Sequence, residues 1–213
     1  MADIASECEK HERLLAEKRH AFGEEHPETL AVMLDLADCL WARGRLIAAR
    51  KLEEQVVAAR RHRLGEKHFD TLKAIGKLAV TMAAQGELPE AGRLQELVVN
   101  GMCDLFGDTG LETLRAINNL AGTVCAQGNF EAARELLESV VATSCHELGE
   151  QHADSLTAMG NLAAVLWQQG DRGEAYALQQ HVAEMQRRIR GDGGQVARVA
   201  AQIVEMMERD GGI

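Results

Sequence analysis

Residues 22–30 read FGEEHPETL, and the pattern returns as LGEKHFDTL at 64–72, FGDTGLETL at 106–114 and LGEQHADSL at 148–156, each copy 42 residues after the last. A glycine, carboxylates, a histidine and a proline within nine positions suit a metal site or a catalytic loop when one copy is read alone. Four copies at a fixed step mark a stacked array instead, because periods of about 20 to 50 residues belong to repeat architectures. What varies between copies settles the role of the stretch. Histidine and proline come and go, whereas Gly23, Gly65, Gly107 and Gly149 persist, as do the acids Glu28, Asp70, Glu112 and Asp154 and the leucine two places later. Glycine just past a helix adopts a left-handed conformation at little cost, and an acid at the start of the next helix is favoured by the helix dipole. Pro27 suits a first helical turn, where its missing N–H is no loss. The stretch is a connector that ends one helix and starts another.

A second ladder, Gly44, Gly86, Gly128 and Gly170, falls between the connectors. It leaves two segments of about 17 to 20 residues per repeat, each long enough for a helix of roughly 25 to 30 Å. The first segment, helix A, carries Leu30, Met33, Leu36, Ala37 and Leu40 on one face at spacings of three and four. The same places hold Leu72, Ile75, Leu78, Ala79 and Met82, then Leu114, Ile117, Leu120, Ala121 and Val124, then Leu156, Met159, Leu162, Ala163 and Leu166. Helix B repeats Ala49, Leu52 and Val56 as Ala91, Leu94 and Val98, as Ala133, Leu136 and Val140, and as Ala175, Leu178 and Val182. Small residues held at 37 and 49 and their equivalents predict points where helix backbones cross closely. With 3% aromatic residues and two prolines in 213 residues, the chain is poor in strand formers and helix breakers, so an all-α fold follows.

The formal net charge of −10 repels phosphate backbones and no basic stripe offsets it, which excludes a nucleic-acid partner. No apolar run approaches the roughly 18 residues a membrane span needs, and with the charged start MADIASECEK a soluble protein in the cytoplasm is expected. Five cysteines, Cys8, Cys39, Cys103, Cys125 and Cys145, form an odd set without a C-x-x-C pair. They are read as idle or buried thiols, neither a disulfide framework nor a zinc site.

INNLAGTVCAQGNFEAARELLESVV at 117–141 and MGNLAAVLWQQGDRGEAYALQQHV at 159–182, with NLA, QG and the following alanine in register, resemble tetratricopeptide repeats of the 42-residue kind found in kinesin light chains. The resemblance covers about residues 22–190. It implies a right-handed superhelical solenoid of antiparallel hairpins, with the A helices lining a concave groove that holds a peptide or protein segment. The organisation expected is one array over 1–213: a lone B-type helix in 1–21, repeats at 22–63, 64–105, 106–147 and 148–190, and a capping A-type helix in 191–213, about ten helices in all. Glu205 and Arg198 take the places of a close-packing alanine and a core leucine in the last helix, as suits a polar outer cap.

If the groove is real, its candidate residues are those of helix A off the apolar stripe. Asn119 and Asn161 match the family asparagine that bonds a peptide backbone, with Asn118 beside them, or else bond within their own helix hairpin; Asp35 and Lys77 depart from it. Lys73, Lys77 and Arg115 place three cations along the groove, either to receive a carboxylate-bearing peptide or as solvated charges. Trp41 and Trp167 share one repeat position and serve either as anchors for a partner or as packing between repeats.

No H-E-x-x-H, G-x-S-x-G or P-loop is present, and GDGG at 191–194 follows a helix rather than a strand, so no enzyme is expected and no cofactor is assigned. His20, His62 and His146 precede His26, His68 and His152 by six residues, but the third copy has Asp104 and Gly110 there, too few fixed ligands for a metal. The expected function is a noncatalytic protein-interaction scaffold; the alternative is homo-oligomerisation through the terminal helices, with Val199 and Ile203 as contact candidates.

Overall fold

The structure, a computed structural model, describes residues 2–190, 202–207 and 209. Its elements are α1 (Ala2–Phe22), α2 (Pro27–Ala42), α3 (Leu46–Leu64), α4 (Phe69–Ala84), α5 (Leu88–Phe106), α6 (Leu111–Ala126), α7 (Phe130–Leu148), α8 (Ala153–Gln169) and α9 (Arg172–Arg190). Residues 202–207 are helical as well, within the expected tenth helix, and no strand occurs among the described residues. The expected helix stop at 191–194, with Arg198 and Val199, lies outside the described residues.

Both glycine ladders punctuate the helices as the spacing demands. Gly23, Gly44, Gly65, Gly86, Gly107, Gly128, Gly149 and Gly170 all have φ between 72° and 93°, where a β-carbon is strained. After the A helices the chain turns by a recurring bond in which the amide one past the glycine reaches back five residues. Glu87 N–H to Met82 O at 3.0 Å, Asn129 N–H to Val124 O at 3.1 Å and Asp171 N–H to Leu166 O at 3.0 Å satisfy carbonyls that the helix end leaves open. At the connectors, Thr29, Thr113 and Ser155 donate their hydroxyls to the carbonyls of Gly23, Gly107 and Gly149 at 2.7–2.9 Å. A hydroxyl at this place, Thr71 included, is a repeat feature that composition alone did not single out.

The helices gather into two compact units, Met1–Leu105 and Phe106–Ile213. In the first, α1 packs on α2, α2 on α3 and α3 on α4; in the second, α6 packs on α7, α7 on α8 and α8 on α9. The predicted stripes form most of the interior, but Leu52, Leu94, Leu136 and Leu178 of the B helices and Ile117, Leu120 and Val124 of α6 are only half-buried. Met33, Leu72, Ile75 and Leu166 are buried, and the alanines at 37, 49, 79, 91, 121, 133, 163 and 175 are all wholly inaccessible. Each large apolar side chain buried in this way is worth about 1.5–3 kcal/mol. In the first unit one approach is closer than the sequence suggested: a β-carbon on Gly101 of α5 would lie 2.6 Å from the Leu72 side chain of α4.

The interior also holds a polar ladder. Position 53 and its equivalents are Glu53, Gln95, Leu137 and Gln179, each at most 4% exposed. Glu53 of α3 accepts a 2.9 Å hydrogen bond from the Thr81 hydroxyl of α4 on Oε1, while its Oε2 is buried without a partner. Burial pushes the Glu53 carboxyl up; the Thr81 bond and the Lys77 charge oppose this, and Asp38 and Glu54 add to it. In the second unit the corresponding pair is apolar, Leu137 with Val165 in one buried cluster.

The cysteines require a correction. Cys8 of α1 and Cys39 of α2, expected as idle thiols, are joined by a disulfide with their Cα atoms 5.6 Å apart, while Cys103, Cys125 and Cys145 are in no disulfide. The outward residues of α1, Glu7, Glu9, Glu12, Arg13 and Glu17, are exposed. At the other end Met207 is buried against Ala175 and Leu166 with Ile203 packed beside it, and Glu205 is exposed.

Candidate functional site

Helices α2 and α4 in the first unit, and α6 and α8 in the second, are the A helices that carry the candidate residues. Their N-termini are fixed by the connector. The Nδ1 atoms of His26, His68 and His152 accept hydrogen bonds from the backbone N–H of Glu28, Asp70 and Asp154 at 3.3, 3.1 and 3.2 Å. The recurring histidines are thus N-caps, doing what asparagine or serine more often does there. In the third copy Gly110 caps instead, with no side-chain bond. Among the described residues no group of three or more His, Cys, Asp or Glu is arranged to hold a metal ion.

The three cations of the expected groove are each engaged. Lys77 Nζ lies 2.5 Å from both carboxylate oxygens of Asp38 on the preceding A helix. Arg115 grips Asp154 on the following A helix with a bidentate pair, Nε to Oδ1 at 2.8 Å and Nη2 to Oδ2 at 3.0 Å, and reaches Glu112 with Nη1 at 2.9 Å. The Arg115 hydrogen bonds hold the Asp154 carboxyl below its ordinary range. Lys73 sits 5.1 Å over the Phe69 ring. An arriving carboxylate therefore meets compensated charge, and a row of open cations is not what these helices offer.

The asparagines are brought together. Asn161 Nδ2 donates to Asn118 Oδ1 at 3.1 Å, bridging α8 to α6 across neighbouring repeats, and Asn119 stands exposed on α6. The two tryptophans part company. Trp167 is half-buried, packs on the cluster around Leu162 and Leu166, and carries the Arg172 guanidinium 5.3 Å over its ring. Trp41, at the end of α2, is 43% exposed. Packing claims the one and leaves the other accessible.

Sequence reasoning passed over the cross-repeat ion pairs of the B helices. Arg50 of α3 binds Glu54 at 2.8 Å, Gln85 at 3.0 Å and Glu87 at 2.5 Å, and Arg134 of α7 binds Glu138 at 2.7 Å and Asp171 at 3.0 Å. In both, an arginine reaches forward to the first residue of the next B helix's turn. The recurrence of Arg at 50 and 134 opposite acids at 87 and 171 was the available signal.

Antiparallel hairpins with inaccessible alanines at their crossings, closed by positive-φ glycines, recur in both units in one register. Models of the tetratricopeptide repeat match residues 29–70, 70–146 and 112–188. This chain belongs to the tetratricopeptide repeat family. Its structure is similar to that of a Podosopora anserina protein described as a kinesin light chain with nearly identical TPR-like repeats, at 30% identity over 89% of this chain and 90% of that one, TM-score 0.68. A variant of the same protein aligns over 88% of this chain and 89% of its own with TM-score 0.70 and 30% identity. BtubC (BKLC) from P. vanneervenii, 16% identical over 99% of this chain and 82% of its own, shares the fold at TM-score 0.71. A comparison with functionally curated proteins finds no match. The tetratricopeptide repeats here are of the kinesin-light-chain-like, 42-residue type, and such repeats are noncatalytic scaffolds that bind protein partners. No described helix is long and apolar enough to cross a membrane.

Proposed function

We propose that the tetratricopeptide repeats form one array over 1–213 whose A-helix face binds an extended peptide or protein segment, and that the asparagines of α6 and α8 form the centre of that site. The observation that carries this reading is the Asn161–Asn118 bridge at 3.1 Å, because it orders two amides while using one donor and one acceptor. Asn118 keeps a free Nδ2 donor and Asn161 a free Oδ1 acceptor, the two halves a peptide bond needs. Exposed Asn119 adds a second amide beside them. Since Lys77 and Arg115 are already paired, the partner we assign is close to neutral where it lies on the A helices, and its binding depends little on salt.

Crosslinking of the purified chain to extract from its source, followed by peptide scanning of the captured protein, supplies the ligand for the test. Asn118→Ala with Asn161→Ala is expected to weaken its binding about tenfold, a loss of roughly 1.4 kcal/mol. Binding unchanged by the pair of substitutions, or steeply lowered by moderate salt, refutes the assignment. The location proposed with this role is the cytoplasm, as the kinesin-light-chain-like neighbours suggest; no catalytic, nucleic-acid or membrane role is proposed.

Self-association through the terminal helices is the second reading, and one observation favours it: Met206, at the C-terminal end, is 54% exposed. Ile203 is packed inward beside Met207, so Met206→Glu rather than a change at Ile203 is the suitable probe. Sedimentation that finds a monomer at all concentrations removes this reading.

A further inference from the structure

We propose that Cys8 and Cys39 form a redox latch that locks helix α1 over the first hairpin, and that reduction frees the N-terminal half of α1. The argument starts from repeat register. Lys18 binds Glu28 ten residues on, as Arg60 reaches the backbone carbonyl of Asp70 ten residues on, so α1 is aligned with α3 at a step of 42. Cys8 then occupies the place of Arg50 and Arg134. Those arginines tie their helices forward to Glu87 and Asp171. At the corresponding place in the first hairpin stands Arg45, which repels an arginine and offers a cysteine nothing. The forward ion pair is absent at this helix, and the disulfide to Cys39 stands in its stead.

The rest of α1 is held at its other end. Its ion pairs to following residues come from Lys18 and Arg19, in its last two turns, to Glu28 and Glu24. Among its described side chains only Cys8 and Leu15 are fully buried. His11, between them, carries a buried Nδ1 with no hydrogen-bond partner. With the disulfide open, the turns ahead of Leu15 lose their covalent attachment to α2 and retain an unsatisfied polar atom. The helix is poised to fray from its start, uncovering Cys39 and the α2 surface around it.

The chemistry is thiol–disulfide exchange with a dithiol reductant. One reductant thiolate attacks a sulfur of the pair and breaks the S–S bond, giving a mixed disulfide and one cysteine thiolate. The second reductant thiol displaces the other cysteine. Two electrons pass to the protein, both cysteines take up protons, and the reductant leaves as its cyclic disulfide. Cys8 is wholly inaccessible and Cys39 only 8% exposed, so exchange waits on opening of the helix and a closed latch is slow to reduce. Oxidation by glutathione disulfide reverses the balance, releasing two glutathione thiols. A reducing cytoplasm holds the latch open and an oxidising challenge closes it.

The test uses the full chain, oxidised with glutathione disulfide or reduced with dithiothreitol. Alkylation after denaturation should label three cysteines in the oxidised chain and all five in the reduced one, with peptide mapping joining Cys8 to Cys39. Hydrogen exchange of the amides between residues 6 and 15 should accelerate about tenfold or more on reduction, with α3, α4 and the second unit unchanged. Oxidised Cys8→Ser should exchange like the reduced wild type; should that variant not fold, the comparison of the two wild-type forms decides alone. Five alkylated cysteines in the oxidised chain, a different pairing, or equal α1 exchange in both forms overturns the proposal.

Discussion

Replacing Glu53 and Thr81 together by Leu and Val should stabilise the protein, and more so at high pH than at low. The double variant copies the Leu137 and Val165 pair that already fills the equivalent place in the second unit. In the wild type the carboxyl is 2% exposed, has one hydrogen bond and leaves Oε2 unpartnered. A buried polar group left unsatisfied costs about 1–3 kcal/mol, while exchanging both members of a polar pair for apolar groups of similar shape is neutral or favourable. The expected gain at pH 8 is therefore about 1–3 kcal/mol, or a melting rise of about 2–4 °C for each kcal/mol in a chain of this size. Thr81→Val alone should instead lose a similar amount, since it strips Glu53 of its only hydrogen bond, so the two changes are strongly non-additive. The sign of the pH term follows from burial, which raises the folded-state pKa of Glu53 above its ordinary 4.5. The folded chain holds its proton more tightly than the unfolded one. Wild-type stability from this group is thus full below the unfolded value and declines as pH rises through the folded one. Urea unfolding of wild type, both single variants and the double variant, at pH values from 4 to 8, gives the full cycle. A double variant less stable than wild type at pH 8, or a difference independent of pH, refutes the reasoning.

Ala79→Leu should cost about 1–3 kcal/mol in thermal unfolding, because the site is wholly inaccessible and an added isopropyl group has no space to enter. Leu78→Ala, a cavity rather than an excess at the neighbouring position, should cost about 2–5 kcal/mol. Cys8→Ser removes a crosslink spanning 31 residues, whose loop-closure entropy is worth about 3.7 kcal/mol; the loss should appear in oxidising buffer and vanish with dithiothreitol. Arg115→Met should cost less than about 1 kcal/mol at pH 7, since Arg115 is half-exposed. That loss should shrink as pH falls below the ordinary Asp range, because Arg115 holds Asp154 below it and the stabilisation disappears once the carboxyl is protonated. His68→Ala should cost about 0.5–2 kcal/mol by removing the cap on Asp70 N–H, and His68→Asn should restore it.

The fold was legible because its punctuation is steric. A positive φ past each helix admits glycine most readily, and a close crossing admits alanine, so Gly65 or Ala121 reports its own environment. The site was less legible because its contacts run diagonally. Asp38 to Lys77 and Arg115 to Asp154 both span 39 residues, one repeat less about a turn of helix, whereas comparison at a step of 42 sets each residue against its equivalent and hides that neighbour. The spacing leaves Lys73, Lys77 and Arg115 either as carboxylate receivers or as solvated charges, where the structure has three ion pairs and a lysine over a ring. Trp41 and Trp167 share a register place, yet packing partners at Leu162 and Leu166 decide the fate of only one. The disulfide left no periodic trace: Cys8 and Cys39 have no counterparts in other repeats, and a chain with an odd cysteine count and no paired motif does not advertise one bridge.

The changing identity of the buried pair has a consequence for how such a chain finds its own order. Hairpins repeated in one register invite slipped assembly, in which a hairpin stacks on the wrong neighbour and leaves another looped out. Here the partners are labelled. Glu53 stacked on Val165 would bury a carboxylate with no hydroxyl to meet it, and Leu137 stacked on Thr81 would withdraw Glu53 from the side chain that satisfies it. Each mismatch forfeits about 1–3 kcal/mol. An imperfectly satisfied carboxyl thus acts as an address, spending stability in the finished protein to make errors of sequence order in the folding one unprofitable.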